Sequence, residues 1–162
     1  WSKIKGTEGA ATIEPDSEYV IPFGKARTVI EAEGQKVMDG ESMAIITYGR
    51  GVYWSLEAAK NYEGQIEIID LRTLNPIDEN AMYAAARKHG KVMIVTEESK
   101  ECSFSLGLMA RIQKECFEAL DAPVEIVGSV DTPAIPLNST LEETLLPNGD
   151  KVSEAIGNLL AY

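Results

Sequence analysis

The chain has 162 residues, 15 of them basic and 26 acidic, for a formal net charge of −11. So acidic a surface repels phosphate, which excludes nucleic acid as a partner class and favours basic partners. With 44% hydrophobic residues the chain can bury the core of one ordinary domain.

No run of about 18 apolar residues occurs, so no membrane span is expected, and no basic-then-apolar leader opens the sequence. The chain opens on Trp1 rather than Met, which reads as a piece of a longer polypeptide. Cys102 and Cys116 make no CxxC pair and His89 is the sole histidine, so no Cys/His metal cluster is expected. Two reduced thiols in a cytoplasmic compartment fit this usage.

In chain order, residues 1–18 are polar and aperiodic, with Gly6, Gly9 and Pro15, and read as a linker or the tail of a preceding domain. The domain proper is expected over 19–162. A first strand is expected over Arg27–Ala32, closed by Gly34. The run "SMAIITYG" is apolar on both faces, as in a strand covered by helices on either side. Val52, Leu56 and Ala59 then recur at helical spacing, followed by a strand over Gln65–Asp70. The stretch "LRTLNPIDEN" predicts a helix start: Asn75 as N-cap, Pro76 in the first turn, Asp78 at the positive end of the dipole. That helix would carry Ile77, Ala81, Ala84 and Lys88 on one line and end at His89-Gly90. Glycine there takes positive φ, and the basic neighbour suits the negative dipole end. "KVMIVTEE" is the next buried strand. A long helix is expected over Phe104–Leu120 with Met109, Ile112, Cys116 and Leu120 along its stripe. "APVEIVGS" is a further strand, and Val152, Ile156, Leu159 and Leu160 mark a terminal amphipathic helix. Such alternation predicts an α/β fold with a mostly parallel sheet and helices on both faces.

Ligands of open parallel sheets gather beyond the carboxyl ends of the strands. Three such ends carry polar groups: Tyr48-Gly49-Arg50-Gly51, Asp70-Leu71-Arg72 and Thr96-Glu97-Glu98. The first is a candidate anion site, with Gly49, Arg50 and Gly51 offering free N–H groups and a guanidinium. Arg72 is expected to pair with Asp70 or Glu97 as a brace. No nucleophile lies beside a base: Ser103 and Ser105 are near no histidine in sequence, and a catalytic His89 would lack a partner. By its residues alone the domain does not read as a complete enzyme.

Seven segments in order, "YVIPFGKA", "ITYGRGV", "IEIIDLRTLNPID", "VTEE", "ARIQKECFEALDAPVEIVG", "DTPAIP" and "LEETLLP", resemble the C-terminal domain of the beta subunit, or beta half, of thiamine-diphosphate-dependent 2-oxo acid dehydrogenases. This is the transketolase C-terminal domain group, and the likeness runs from about residue 19 to the end. It implies a three-layer α/β/α sandwich on a mixed five-stranded sheet with one antiparallel edge strand. It implies a parent oxidoreductase that decarboxylates a 2-oxo acid, of branched-chain or pyruvate type, on thiamine diphosphate with magnesium and passes the acyl group to lipoyl-lysine. In that family the cofactor lies between two other domains, so no catalytic, cofactor or metal residue is expected here. Residues 1–18 would be the end of the pyrimidine-binding domain, and the isolated domain would be inactive. The resemblance further implies pairing of beta halves into an oligomer, and docking of the acyltransferase's basic subunit-binding domain by Asp121 and the carboxylate of Tyr162. The competing reading of Asp121 is a simple turn before Ala122-Pro123. A bacterial cytoplasm or a mitochondrial matrix would be the compartment. One departure stands out: "CSFSLGLM" places Cys102, Ser103 and Ser105 where the family usually has glycines, and Gly107 where it usually has an acid.

Overall fold

A computed structural model describes residues 16–162; most of the expected linker, 1–18, lies outside the described residues. Five strands form one sheet: β1 (Arg27–Ile30), β2 (Met43–Thr47), β3 (Ile66–Asp70), β4 (Val92–Ser99) and β5 (Glu125–Ser129), in the spatial order β1-β3-β2-β4-β5. Strand β1 runs antiparallel to β3 at one edge, and the other three pairings are parallel. The helices are α1 (Gly34–Met38), α2 (Gly51–Ala59), α3 (Glu79–His89), α4 (Phe104–Cys116), α5 (Ser139–Leu145) and α6 (Gly149–Leu160). The expected three-layer sandwich with a single antiparallel edge strand is thus present.

Two cores follow from the period-2 alternation of the strands. Met43, Ile45, Ile66, Ile68, Met93 and Val95 face one way, against Trp54 and Ala58 of α2 and Val152, Ile156 and Leu159 of α6. Ala44, Ile46, Ile69, Val92, Ile94 and Ile126 face the other way, against Met82, Ala85 and Ala86 of α3 and Leu108 and Ile112 of α4. Every residue of β2 is buried, because helices cover both its faces. Each such isoleucine contributes about 1.5–3 kcal/mol of burial free energy, so the central strands anchor the domain.

Some expected details differ. The helix after β3 begins at Glu79, not Pro76, and its N-cap is Asp78 rather than Asn75; the Asp78 carboxylate accepts from Ala81 N at 3.1 Å. The Asn75-Pro76 peptide is cis. The preceding residues are instead spent on the incoming chain: Thr73 Oγ1 accepts from Gly24 N at 2.9 Å, and Asp78 Oδ2 accepts from Ala26 N at 2.9 Å. "LRTLNPID" is therefore a tether for the segment leading into β1, and the helix follows it. The buried line of α3 is Met82, Ala85, Ala86 and His89, while Ala84 and Lys88 are exposed. Likewise α2 buries Gly51, Trp54, Ser55, Ala58 and the expected Ala59, and leaves Val52 and Leu56 half-buried. Small residues bring the helix close to the sheet, so its contact line is not its most apolar one. The long helix stops at Cys116 and tightens into a 3₁₀ turn over Phe117–Ala119. Helices α1 and α5 were not expected, and neither buries a residue, so neither carries an apolar stripe to read.

Candidate functional site

The sheet presents two polar rims. At the carboxyl ends of the strands, Gly49 takes φ +58, the left-handed conformation in which glycine alone is unstrained. Gly51 follows, packed against the sheet: a Cβ there would run into Thr47 Oγ1 and lie 2.8 Å from Val95 O. Thr47 Oγ1 itself donates to Val95 O at 2.8 Å. The two glycines of "GRG" thus have two separate steric reasons. The amides of the turn are engaged within it, Gly51 N on Tyr48 O at 3.2 Å and Val52 N on Gly49 O at 3.4 Å. Arg50 stacks over Trp54, 5.3 Å from the ring centroid. In front lies a cleft of about 630 Å³ lined among others by Arg50, Glu57, Glu142, Glu143 and Asp150. Four carboxylates line it with one guanidinium, a balance that disfavours an anion beside Arg50. The geometry gives this turn a packing role.

Next to it a hydrogen-bond network joins two of the three polar strand ends marked in the sequence. The Tyr48 hydroxyl donates to Glu98 Oε1 at 2.7 Å and lies 3.0 Å from Thr96 Oγ1. Glu98 also accepts from Phe104 N and Ser105 N, at 3.2 and 3.1 Å, and so sits on the positive end of α4. Burial pushes the Tyr48 hydroxyl up to about 12, with the Glu98 carboxylate adding to the rise. Burial alone would raise Glu98, but the Tyr48 hydroxyl and the two amides hold it below the ordinary carboxyl value. Ser103 is the N-cap of α4, accepting from Leu106 N, and Cys102 adopts φ +51. Ser103 therefore does a capping job, and Cys102 takes the left-handed position just before it.

Arg72 does not form the expected ion pair. Its guanidinium donates to the Lys25 carbonyl at 2.8 and 3.0 Å, and only its backbone N–H reaches Asp70. Burial raises the Asp70 carboxyl above its usual value, against the pull of that N–H and of the Arg72 and Arg27 charges.

The opposite rim, at the amino ends of the strands, holds the chain's one histidine. The structure corrects the expectation that His89 has no partner. Its Nδ1 lies 2.7 Å from Ser42 Oγ, its Nε2 lies 3.2 Å from Glu67 Oε2, and Lys88 closes on the same carboxylate. The hydrogen bond from His89 is the main reason the Glu67 carboxyl sits below its ordinary value, outweighing burial, and Lys88 adds to it. Serine, histidine and glutamate come together, yet Ser42 is only 1% exposed, so no substrate atom reaches its hydroxyl. The cluster serves to satisfy buried polar groups. Glu67, an acid inside the apolar run "IEIID", was the one visible clue to it.

On the same rim, Gly90 takes φ +67 as the C-cap of α3, as expected. Its carbonyl accepts from Asp121 N at 2.8 Å, and the Asp121 carboxylate lies over its Cα. Among the described residues that carboxylate has no hydrogen-bond or ion-pair partner. The neighbouring Lys91 is buried, and its ammonium donates to Gly40 O at 3.1 Å and Leu160 O at 3.4 Å. The loop holding Asp121 and the last turn of α6, which leads to the exposed Tyr162, are thus tied to two consecutive residues.

Among the described residues no three His, Cys, Asp or Glu side chains gather to hold a metal ion. The cleft at the carboxyl rim is acidic, the wrong sign for a diphosphate. That lining does not fit thiamine diphosphate with magnesium. No described helix is long and apolar enough to cross a membrane.

Comparison with known proteins fits this geometry. The sequence model described as "Transketolase, C-terminal domain" matches residues 32–152. The chain is 37% identical over 151 residues to the 2-oxoisovalerate dehydrogenase subunit beta of Bacillus subtilis (strain 168), covering 91% of this chain and 44% of that one. It is 35% identical to the acetoin:2,6-dichlorophenolindophenol oxidoreductase subunit beta of Cupriavidus necator, covering 94% and 42%, respectively. It is 34% identical to the pyruvate dehydrogenase E1 component subunit beta of Rickettsia felis, covering 93% and 43%. The chain therefore spans less than half the length of these relatives. A solved structure titled "Split gene transketolase, inactive beta4 tetramer" shares the fold, with a TM-score of 0.71 at 20% identity over 90% of this chain and 45% of that one. With its sheet order, its two helical layers and this match over most of its length, the chain belongs to the transketolase C-terminal domain family.

Proposed function

We propose that the chain is the C-terminal domain of the beta subunit of a 2-oxo acid dehydrogenase decarboxylating component, and that its own task is docking rather than bond-breaking. The parent would oxidatively decarboxylate a 2-oxo acid of branched-chain type, using thiamine diphosphate and magnesium held by its other domains, in a bacterial cytoplasm or a mitochondrial matrix. The branched-chain choice leans on the 37% identity to the 2-oxoisovalerate relative. The beta-subunit names of all three relatives support an assembly with partner subunits.

One observation carries the docking reading. The amino-end rim holds an exposed Asp121 carboxylate left without a partner, on the same strand approach that anchors the end of α6. A basic domain, such as the acyltransferase's subunit-binding domain, supplies the missing charge. Exposed pairs of this kind contribute on the order of 1 kcal/mol each and weaken with salt.

The test is a binding titration of that domain against the chain and its Asp121→Ala variant at low and physiological salt. A loss of about fivefold in affinity is expected for a pair worth on the order of 1 kcal/mol. Unchanged binding at low salt would remove the docking role. Turnover of 2-oxoisovalerate, pyruvate and acetoin by the complete parent enzyme decides the substrate, and preference for pyruvate or acetoin would overturn the branched-chain choice.

A further inference from the structure

We propose that Lys91 is the positioning residue of the docking face, holding the last turn of α6 in register with the Asp121 loop; this rests on the docking reading above. Lys91 is a buried cation, 7% exposed, and its ammonium donates to two backbone carbonyls rather than to a carboxylate. One carbonyl ends a helix and the other lies just past the C-cap of one. Gly40 follows α1, and Leu160 is the final residue of α6. Helix carboxyl ends carry unsatisfied carbonyls and negative dipole, and a cation there is stabilised on both counts. The ammonium therefore draws together two segments that no strand pairing connects.

The Asp121 loop is set by the adjacent residue. Gly90 O takes the Asp121 N–H, and the left-handed Gly90 leaves room for the carboxylate above it. Successive Cα atoms are about 3.8 Å apart, so the two halves of the proposed face share one rigid peptide at the start of β4. Because Lys91 points inward, its positive charge positions the rim without opposing a basic partner at the surface. Without it, the last turn of α6 keeps its helical bonds and the packing of Leu159 but loses its polar tie, and its end frays more readily.

The experiment combines amide hydrogen exchange of the chain with titration of the acyltransferase's isolated subunit-binding domain, for Lys91→Met, Lys91→Arg and Asp121→Ala. Lys91→Met is expected to speed exchange across 159–162 and 39–41 about tenfold and to weaken domain binding about as much, the loss of charged hydrogen bonds. Lys91→Arg, which keeps the charge and the donors, restores most of both. If Lys91→Met does not fold, Lys91→Gln takes its place, and exchange faster and binding weaker than those of Lys91→Arg are expected. Asp121→Ala that binds normally overturns the docking reading itself. Asp121→Ala that binds weakly, with the uncharged Lys91 variants matching the parent in exchange and affinity, overturns the role of Lys91 alone.

Discussion

Gly51→Ala tests how tightly the turn after β2 is packed. The added methyl meets Thr47 Oγ1 and lies 2.8 Å from Val95 O, both on buried central strands that cannot retreat. Forcing extra volume into such a site costs about 1–3 kcal/mol. If Thr47 rotates away, its 2.8 Å bond to Val95 O is lost, and a buried hydroxyl left unsatisfied costs about 1–3 kcal/mol more. Alanine recovers about 0.5–1 kcal/mol over glycine in a helix. The net is a destabilisation of about 1–5 kcal/mol, or a melting temperature roughly 3–15 °C lower for a domain of this size. Gly107→Ala is the internal control. Nothing lies within 4 Å of its would-be Cβ, so it should stabilise by about 0.5–1 kcal/mol. Thermal and urea melts of the two variants read opposite signs. A Gly51→Ala chain as stable as the parent would refute the close packing of α2 on the sheet.

Three further outcomes are expected. Glu67 has a folded carboxyl value below its ordinary 4.5, so its contribution to stability is full above that pH and is lost as pH falls through the lower folded value; Glu67→Gln should flatten the acid limb of stability against pH, and an unaltered limb would remove His89 and Lys88 as its cause. The Tyr48 hydroxyl should titrate near 12 in the ultraviolet, a late step that Tyr48→Phe abolishes at a stability cost of about 1–2 kcal/mol for a lost buried hydrogen bond. Asp78→Ala should cost about 1–3 kcal/mol, since it removes the cap of α3 and strands the Ala26 amide; a loss below 0.5 kcal/mol in a urea melt would contradict that dual role, on the scale of cap substitutions of about 1 kcal/mol.

The strands and the fold class were legible in the sequence because their signal is local. Runs such as "MAIIT" and "VMIVT" are apolar without a break, and only a sheet covered on both faces buries such runs in so few residues. Gly90 and the α6 stripe of Val152, Ile156 and Leu159 were legible for the same reason: a left-handed cap or an amphipathic period needs only near neighbours. What was not legible depended on partners far along the chain. Asp78 rather than Asn75 caps α3 because Ala26, brought alongside by β1, shares its carboxylate. His89, at the end of α3, has partners because Ser42 just before β2 and Glu67 of β3 arrive at the same rim. Glu98 caps α4 because Tyr48 holds it there. Hydrophobic periodicity is written residue by residue, and so it survives without a fold. Hydrogen-bond partnership at long range exists only once the sheet order β1-β3-β2-β4-β5 has put those strand ends side by side.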